Sequence, residues 1–155
     1  MSGTRVLAPV PGRAVPMQDV PDPMFAQSMV GPGAAIDPPR GVVEAVAPVD
    51  GTVLKVLPHA FVIVTAGGAG VLVHLGIDTV QLDGQGFTVH VEKGAEVTAG
   101  QLMVTYDVPA VEALGRNPIV PVVALEKGAD DIVLDGVFGA GGPLAALDTI
   151  FTING

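Results

Sequence analysis

Apolar residues in this chain come in short runs, and glycine or proline ends nearly every one. The runs RVLAPV, GVVEAVAPV, GTVLKVL, AFVIVTA, GVLVHLG, GFTVHV, QLMVTYDV and IVPVVAL are rich in valine. β-Branched side chains pack well on a pleated surface. Strands at this density, with turn residues between them, predict an all-β sandwich or barrel. One short helix is predicted over Asp107–Pro118 (DVPAVEALGRNP), capped by Asp107 and stopped by Gly115 and Pro118. Residues 16–40 are rich in proline, yet Met24, Phe25, Met29, Val30 and Ile36 supply apolar anchors. That segment reads as an ordered loop wrapped on the sheet. In EKGAEVTAGQLMV, Gly94 and Gly100 mark a tight connection, leaving Glu92, Lys93 and Glu96 in solvent.

Two echoes run through the pattern. APVPGRAV begins at Ala8 and APVDGTVL at Ala47, while EKGAEV begins at Glu92 and EKGADD at Glu126. The spacings are unequal, so this is no solenoid. Either two related β-motifs face each other, or both echoes are common turn sequences.

Composition narrows the class. The chain has 155 residues, 49% of them hydrophobic and 15% charged. Such a chain folds around a core instead of staying disordered. It has no cysteine, which excludes disulfides, cysteine zinc sites and thiol nucleophiles. No signal peptide and no apolar run of membrane-spanning length is read, so a cytoplasmic protein is expected. The net charge is −9, which repels nucleic acid and favours a basic protein partner.

Chemistry enters with the three histidines, His59, His74 and His90. His74 interrupts the apolar stretch VLVHLGIDTV. A hairpin about Gly67–Gly70 places His59 within one pairing step of the position opposite His74, so two imidazoles meet on one face. A neutral imidazole is a good nucleophile toward phosphorus, and its neighbour can donate to a phosphoryl oxygen. A histidine pair also suits a divalent metal. Met24, Phe25, Phe61, Leu72 and Leu75 would ring the pair with apolar surface for a docking partner. His90 alternates with Val89 and Val91 and is expected in solvent without a role.

The segments APVDGTV, HAF, VHLGIDTVQLDGQGF, GQLMVTYDVP and PVVAL closely resemble the glucose-type enzyme IIA component of the bacterial phosphoenolpyruvate-dependent sugar phosphotransferase system. VPDPMFAQSMVGPGAAI is similar to that family's loop beside its active site. The likeness runs from about Val6 to Leu125; residues 126–155 match weakly, with GVFGAGGPL standing for the family's last Gly-bounded strands.

The resemblance implies one enzyme IIA domain over residues 1–155, folded as a flattened antiparallel β-sandwich of two facing motifs with at most short helices. It implies a phosphoryl carrier that takes the group from the phosphocarrier protein HPr on His74. The carrier then passes it to a cysteine of the IIB domain of a glucose- or N-acetylglucosamine-type permease. His59 matches the family's partner histidine, which orients the phosphohistidine. Asp22 and Asp78 match its two carboxylates near the docking face. No cofactor is required, although the two histidines of some members bind zinc, which would carry over to His59 and His74. A free-standing monomer is expected. One departure stands out: Leu57 occupies the place of the family's threonine, two residues before the first histidine.

Three rivals remain open on the residues. A zinc metallopeptidase could use the His-x-x-x-Asp pair His74 and Asp78, but it needs a His-x-His pair that is absent and would have to recruit His59 or His90. A biotin or lipoate carrier needs a lysine on a hairpin tip, and none lies between Lys55 and Lys93. A regulatory binding protein without phosphotransfer would have the same surface.

Overall fold

The computed structural model describes residues 3–136 and 141–154. In chain order the strands are β1 (Thr4–Leu7), β2 (Gly12–Pro16), β3 (Gly33–Asp37), β4 (Val42–Val46), β5 (Gly51–Leu57), β6 (Ala60–Val64) and β7 (Gly70–His74). They continue with β8 (Phe87–Val89), β9 (Glu96–Val97), β10 (Leu102–Asp107), β11 (Val120–Ala124), β12 (Ile132–Leu134), β13 (Pro143–Leu144) and β14 (Thr149–Ile153). Helices are short: α1 (Pro23–Ala26), α2 (Val108–Ala113) and three 3-10 turns at Met17–Asp19, Thr79–Leu82 and Ala129–Asp131. None of the described helices is long and apolar enough to cross a membrane.

The strands form one large antiparallel sheet, in the order β13-β2-β3-β11-β7-β6-β5-β9, and two small ones, β1-β14-β12 and β4-β10-β8. Their inner faces share one core that includes Val6, Val43, Phe61, Val73, Tyr106, Val122 and Phe151. Each buried apolar side chain of this size contributes about 1.5–3 kcal/mol. The expected all-β sandwich is therefore the fold observed.

The first echo is structural. Gly12 opens β2 and Gly51 opens β5, and each lies flat against a facing carbonyl. A Cβ on Gly12 would stand 2.1 Å from the Asp37 oxygen, and one on Gly51 2.2 Å from the Val64 oxygen. No side chain fits at either place. The two motifs also exchange main-chain bonds reciprocally. Leu7 N–H donates to the Pro48 carbonyl and Val46 N–H to the Pro9 carbonyl, each at 2.9 Å. Leu147 N–H donates to Ala8 at 2.8 Å, as Gly100 N–H does to Ala47 at 2.9 Å. Contacts that repeat with partners exchanged are what a two-fold relation produces. The second echo is only a turn sequence. EKGAEV leads into β9, which pairs with Gly51, but EKGADD leads into the turn before β12. The strand that pairs with Gly12 is β13, at Leu144. Val137–Ala140 of GVFGAGGPL fall outside the described residues.

Residues 16–40 are more regular than a loop. They contain a 3-10 turn, α1 and all of β3, which lies between β2 and β11 in the large sheet. Phe25 and Ile36 do anchor the segment (5% and 0% exposed), whereas Met24 and Met29 stand out in solvent. The helix predicted from Asp107 forms over a shorter span. The Asp107 carboxylate accepts from Ala110 N–H at 3.1 Å, and the chain leaves the helix at Leu114.

Strand alternation places the site. In the β6–β7 pair, Phe61, Ile63, Val71 and Val73 point into the main core. Val62 and Leu72, which pair with each other, and Ala60 and His74, which also pair, take the opposite face. On that face a second, smaller core gathers Met17, Val20, Phe25, Ile77, Ile119 and Val123.

Candidate functional site

His74 is the last residue of β7, and the chain turns immediately after it. Gly76 follows with φ +84°, and Asp78 is left-handed with φ 59°. This turn curls the Gly76 carbonyl back onto the histidine. His74 Nδ1 lies 2.6 Å from that oxygen. A carbonyl can only accept, so Nδ1 carries the proton and Nε2 keeps its lone pair. The bond fixes both tautomer and ring orientation.

His59 reaches the same place from the other side. It does not begin a strand; it is the second residue of the Pro58–His59 turn that joins β5 to β6, closed by the Leu57–Ala60 pair. Its carbonyl accepts from Leu75 N–H at 2.7 Å, which ties the turn to the end of β7. The two imidazole centroids are 5.1 Å apart, with planes at 75°. The hairpin register read from the sequence is thus the one observed, within a single step. His59 is 8% exposed, and among the described residues its ring makes no hydrogen bond.

His74 forms the wall between two hollows. One is lined by Lys55, Leu57, His59, Ala60, Phe61, Val62 and Leu72. The other is lined by Asp22, Met24, Phe25, Val30, Leu72, Asp78 and Val80. Asp22 caps α1, its carboxylate accepting from Met24 N–H at 2.9 Å. Asp78 is exposed. Phe25 is buried behind the site, its ring 5.2 Å from that of His74. The exposed apolar surface is therefore Met24, Val80 and Leu57, at 50%, 61% and 39%, with Leu72 half-buried between them.

One expected docking residue is corrected: Leu75 is 0% exposed, belongs to the main core and lines neither hollow. Phe61 lines the hollow beside His59 but is only 1% exposed, its side chain belonging to the main core. Val80, Lys55 and the Gly76 carbonyl join the site without having been singled out. The glycine of HLG was the one available signal, since a strand ending in His-x-Gly invites a turn. Leu57, which occupies the place of the family's threonine, borders the His59 hollow. The nearby Thr79 hydroxyl is spent on the Leu75 carbonyl at 2.7 Å.

Zinc fares poorly. Among the described residues, no group of three or more His, Cys, Asp or Glu side chains is placed to hold a metal ion. The donor set here is two imidazoles, one of which has a nitrogen already bonded to Gly76. A zinc site wants about four donors, or three with an open position. The chain alone does not fit it, and the metallopeptidase reading fails on the same ground. His90 is exposed on β4-β10-β8, with Nε2 2.7 Å from the Thr105 hydroxyl.

Burial lowers the pKa of His74; the Gly76 carbonyl and the charges of Asp22 and Asp78 pull it back up. Burial also drives His59 down to about 4, with the charge of His74 adding to the effect. Both rings are therefore neutral at neutral pH. A stability consequence follows. Unfolded histidine takes up a proton near pH 6.5, while folded His59 refuses it until about pH 4. The unfolded state thus binds more protons inside that window, so stability rises with pH up to about 6.5 and then levels off. The urea midpoint of the wild type, compared with His59→Gln, is expected to fall more steeply between pH 7.5 and 5.5. Parallel curves would show that His59 does not carry the effect.

Residues 4–129 match the family described as phosphoenolpyruvate-dependent sugar phosphotransferase system, EIIA 1. The chain is 46% identical over 120 residues to the glucose-specific EIIA component of Halalkalibacterium halodurans, a match covering 76% of this chain and 68% of that one. It is 40% identical over 120 residues to the same component of Oceanobacillus iheyensis, covering 76% and 72%. It is also 50% identical over 114 residues to the glucose-specific EIICBA component of Streptococcus pneumoniae, covering 72% of this chain but only 15% of that longer protein. Among solved structures, the glucose permease IIA of Mycoplasma capricolum superposes with a TM-score of 0.85 at 31% identity, covering 98% of this chain and 96% of that one. With its fold, its matched span and these relatives in agreement, the chain belongs to the EIIA 1 family of the phosphoenolpyruvate-dependent sugar phosphotransferase system.

Proposed function

We propose that this protein is a cytoplasmic phosphoryl carrier that accepts the group from HPr on His74 and hands it to a cysteine of the IIB domain of a glucose- or N-acetylglucosamine-type permease. The observation that supports it most is the pairing of a tautomer-fixed His74 with a neutral His59 at an apolar, carboxylate-rimmed surface. His74 Nε2 offers its lone pair to phosphorus. As the new N–P bond forms, the N–P bond to the donor histidine breaks and its electron pair returns to the donor ring. The Nδ1 proton stays on His74, held by Gly76 throughout. The phosphorylated ring then carries positive charge, which the Gly76 carbonyl, Asp22 and Asp78 offset. That charge keeps the ring a good leaving group for a thiolate. His59, neutral and without another partner, donates one N–H to a phosphoryl oxygen and orients the group. Asp22 and Asp78 favour a basic partner face through charge complementarity. No cofactor takes part, and a single copy of the chain suffices for this chemistry.

The test is a relay reconstituted from labelled phosphoenolpyruvate, enzyme I, HPr and this chain, followed by a IIB acceptor. The wild type is expected to take up acid-labile, base-stable label at His74. His59→Ala is expected to accept label within about threefold of the wild-type rate but to pass it on about a hundredfold more slowly. Rapid onward transfer by His59→Ala would remove His59 from the mechanism. Absence of label on the wild type would leave the regulatory binding reading standing.

A further inference from the structure

Asp78 and Val80, two of the residues that rim the His74 hollow, sit on the 3-10 turn Thr79–Leu82 and its leading residue. The turn is tied to the residues before it by the Thr79 hydroxyl, which donates to the Leu75 carbonyl at 2.7 Å. Asp78 is left-handed (φ 59°, ψ 21°) and its side chain does not cap the turn. The turn's opening bond, from Gln81 N–H to the Asp78 carbonyl, is long at 3.3 Å. Aspartate tolerates that conformation better than most residues, at a cost that surrounding contacts offset. A further hold comes from a distant part of the chain. Arg116 Nε donates to the same Asp78 carbonyl at 3.3 Å, and its Nη2 donates to the Gln81 side-chain oxygen at 2.6 Å. The segment after Arg116 reinforces the grip: Ile77 N–H donates to Asn117 at 2.9 Å and Gly76 N–H to Ile119 at 3.0 Å.

We propose that Arg116 is a positioning residue: its guanidinium bridges Asp78 and Gln81 across the 3-10 turn and so holds Asp78 and Val80 at the rim against which the phosphoryl donor docks. This rests on the phosphoryl-carrier reading above. A planar guanidinium presents its N–H donors at fixed spacing, which suits this double grip; an ammonium does not. The charge of Arg116 gives the idea a sign. If the residue acted only as a cation beside a face that attracts a basic partner, removing it would improve docking. A clamp predicts the reverse.

The experiment measures phosphoryl uptake by the full chain against phospho-HPr concentration. Arg116→Met is expected to raise KM about tenfold and leave kcat within about twofold, because the chemistry at His74 is untouched. Arg116→Lys, which keeps the charge, is expected not to restore KM. Asp78→Asn, whose side chain also tolerates a left-handed backbone, is expected to raise KM by itself. Adding Arg116→Met to it should then have little further effect, since the two residues act through one element. Amide hydrogen exchange over Asp78–Leu82 should quicken in Arg116→Met, whether or not a donor is present. A lowered KM, full additivity with Asp78→Asn, or unchanged exchange would each overturn the clamp. Failure of the wild type to take up the group would instead overturn the functional reading, while exchange would still report on the clamp.

Discussion

His74→Ala is expected to lose phosphoryl uptake by at least about a thousandfold in the reconstituted relay, with the fold intact. The loss is large because no second group can replace the nucleophile. His59 is the nearest imidazole, but it sits in a tight turn, 8% exposed, with no carbonyl fixing its tautomer. His90 is spent on Thr105 in another sheet. The half-buried His74 side chain contributes little to the core, so the variant should melt within a few degrees of the wild type. His74→Gln, closer in size, guards against a local collapse around the ring of Phe25. Label on either variant at the wild-type rate would place the acceptor elsewhere.

Gly76→Ala is expected to damage stability and chemistry together. The position has φ +84°, and a Cβ there would lie 2.5 Å from Thr79 Cγ2, 3.1 Å from the Asn117 oxygen and 3.2 Å from the Tyr106 hydroxyl. None of these yields easily. The Thr79 hydroxyl is bonded to Leu75, Asn117 accepts from Ile77, and Tyr106 donates to Pro118 at 2.8 Å. The left-handed backbone alone costs about 1–2 kcal/mol, and overpacking adds about 1–3 kcal/mol. A thermal midpoint roughly 5–15 °C lower is expected. At temperatures where the variant stays folded, uptake should fall about 10- to 100-fold, because the carbonyl that orients His74 is displaced. Gly94→Ala is the control. Its φ is likewise positive, at +90°, but an added Cβ meets nothing within 4 Å, so only the conformational cost remains. Equal melting of Gly76→Ala and Gly94→Ala, with equal uptake, would show that the turn adapts freely.

Much of this architecture could be read in the residues, and the exceptions have physical reasons. Valine-rich runs such as GTVLKVL and AFVIVTA became β5 and β6 because nothing in them opposed the strand. β3, GAAID, escaped notice because small residues give a weak strand signal. They are there because backbones come close: a Cβ on Gly33 would lie within 1.9 Å of the Val122 oxygen. β12 and β13 are short, and charged or Gly-rich segments surround them, so periodicity had little to act on. At the site, the hairpin register was enough to bring His59 and His74 together. On the docking surface, nearness in sequence is not nearness on a face. Phe61 pairs with Val73, and Leu75 follows the outward His74; alternation sends both inward. What no local pattern could disclose was Arg116 reaching back to Asp78 and Gln81, since that contact exists only once β11 lies beside β7.

The pairing of β1 with β14 has a topological consequence. Thr4 lies directly across from Ile153, so the polypeptide enters and leaves this unit side by side. A unit closed in this way can be spliced into a host chain as an insert, or its two ends bridged by a brief linker and new ones opened at the Ala66–Ala69 hairpin tip, without rerouting any strand. Such a permuted form would carry His59 and His74 near opposite ends of the new chain, so the histidine pair would then rest on the β6–β7 strand pairing alone.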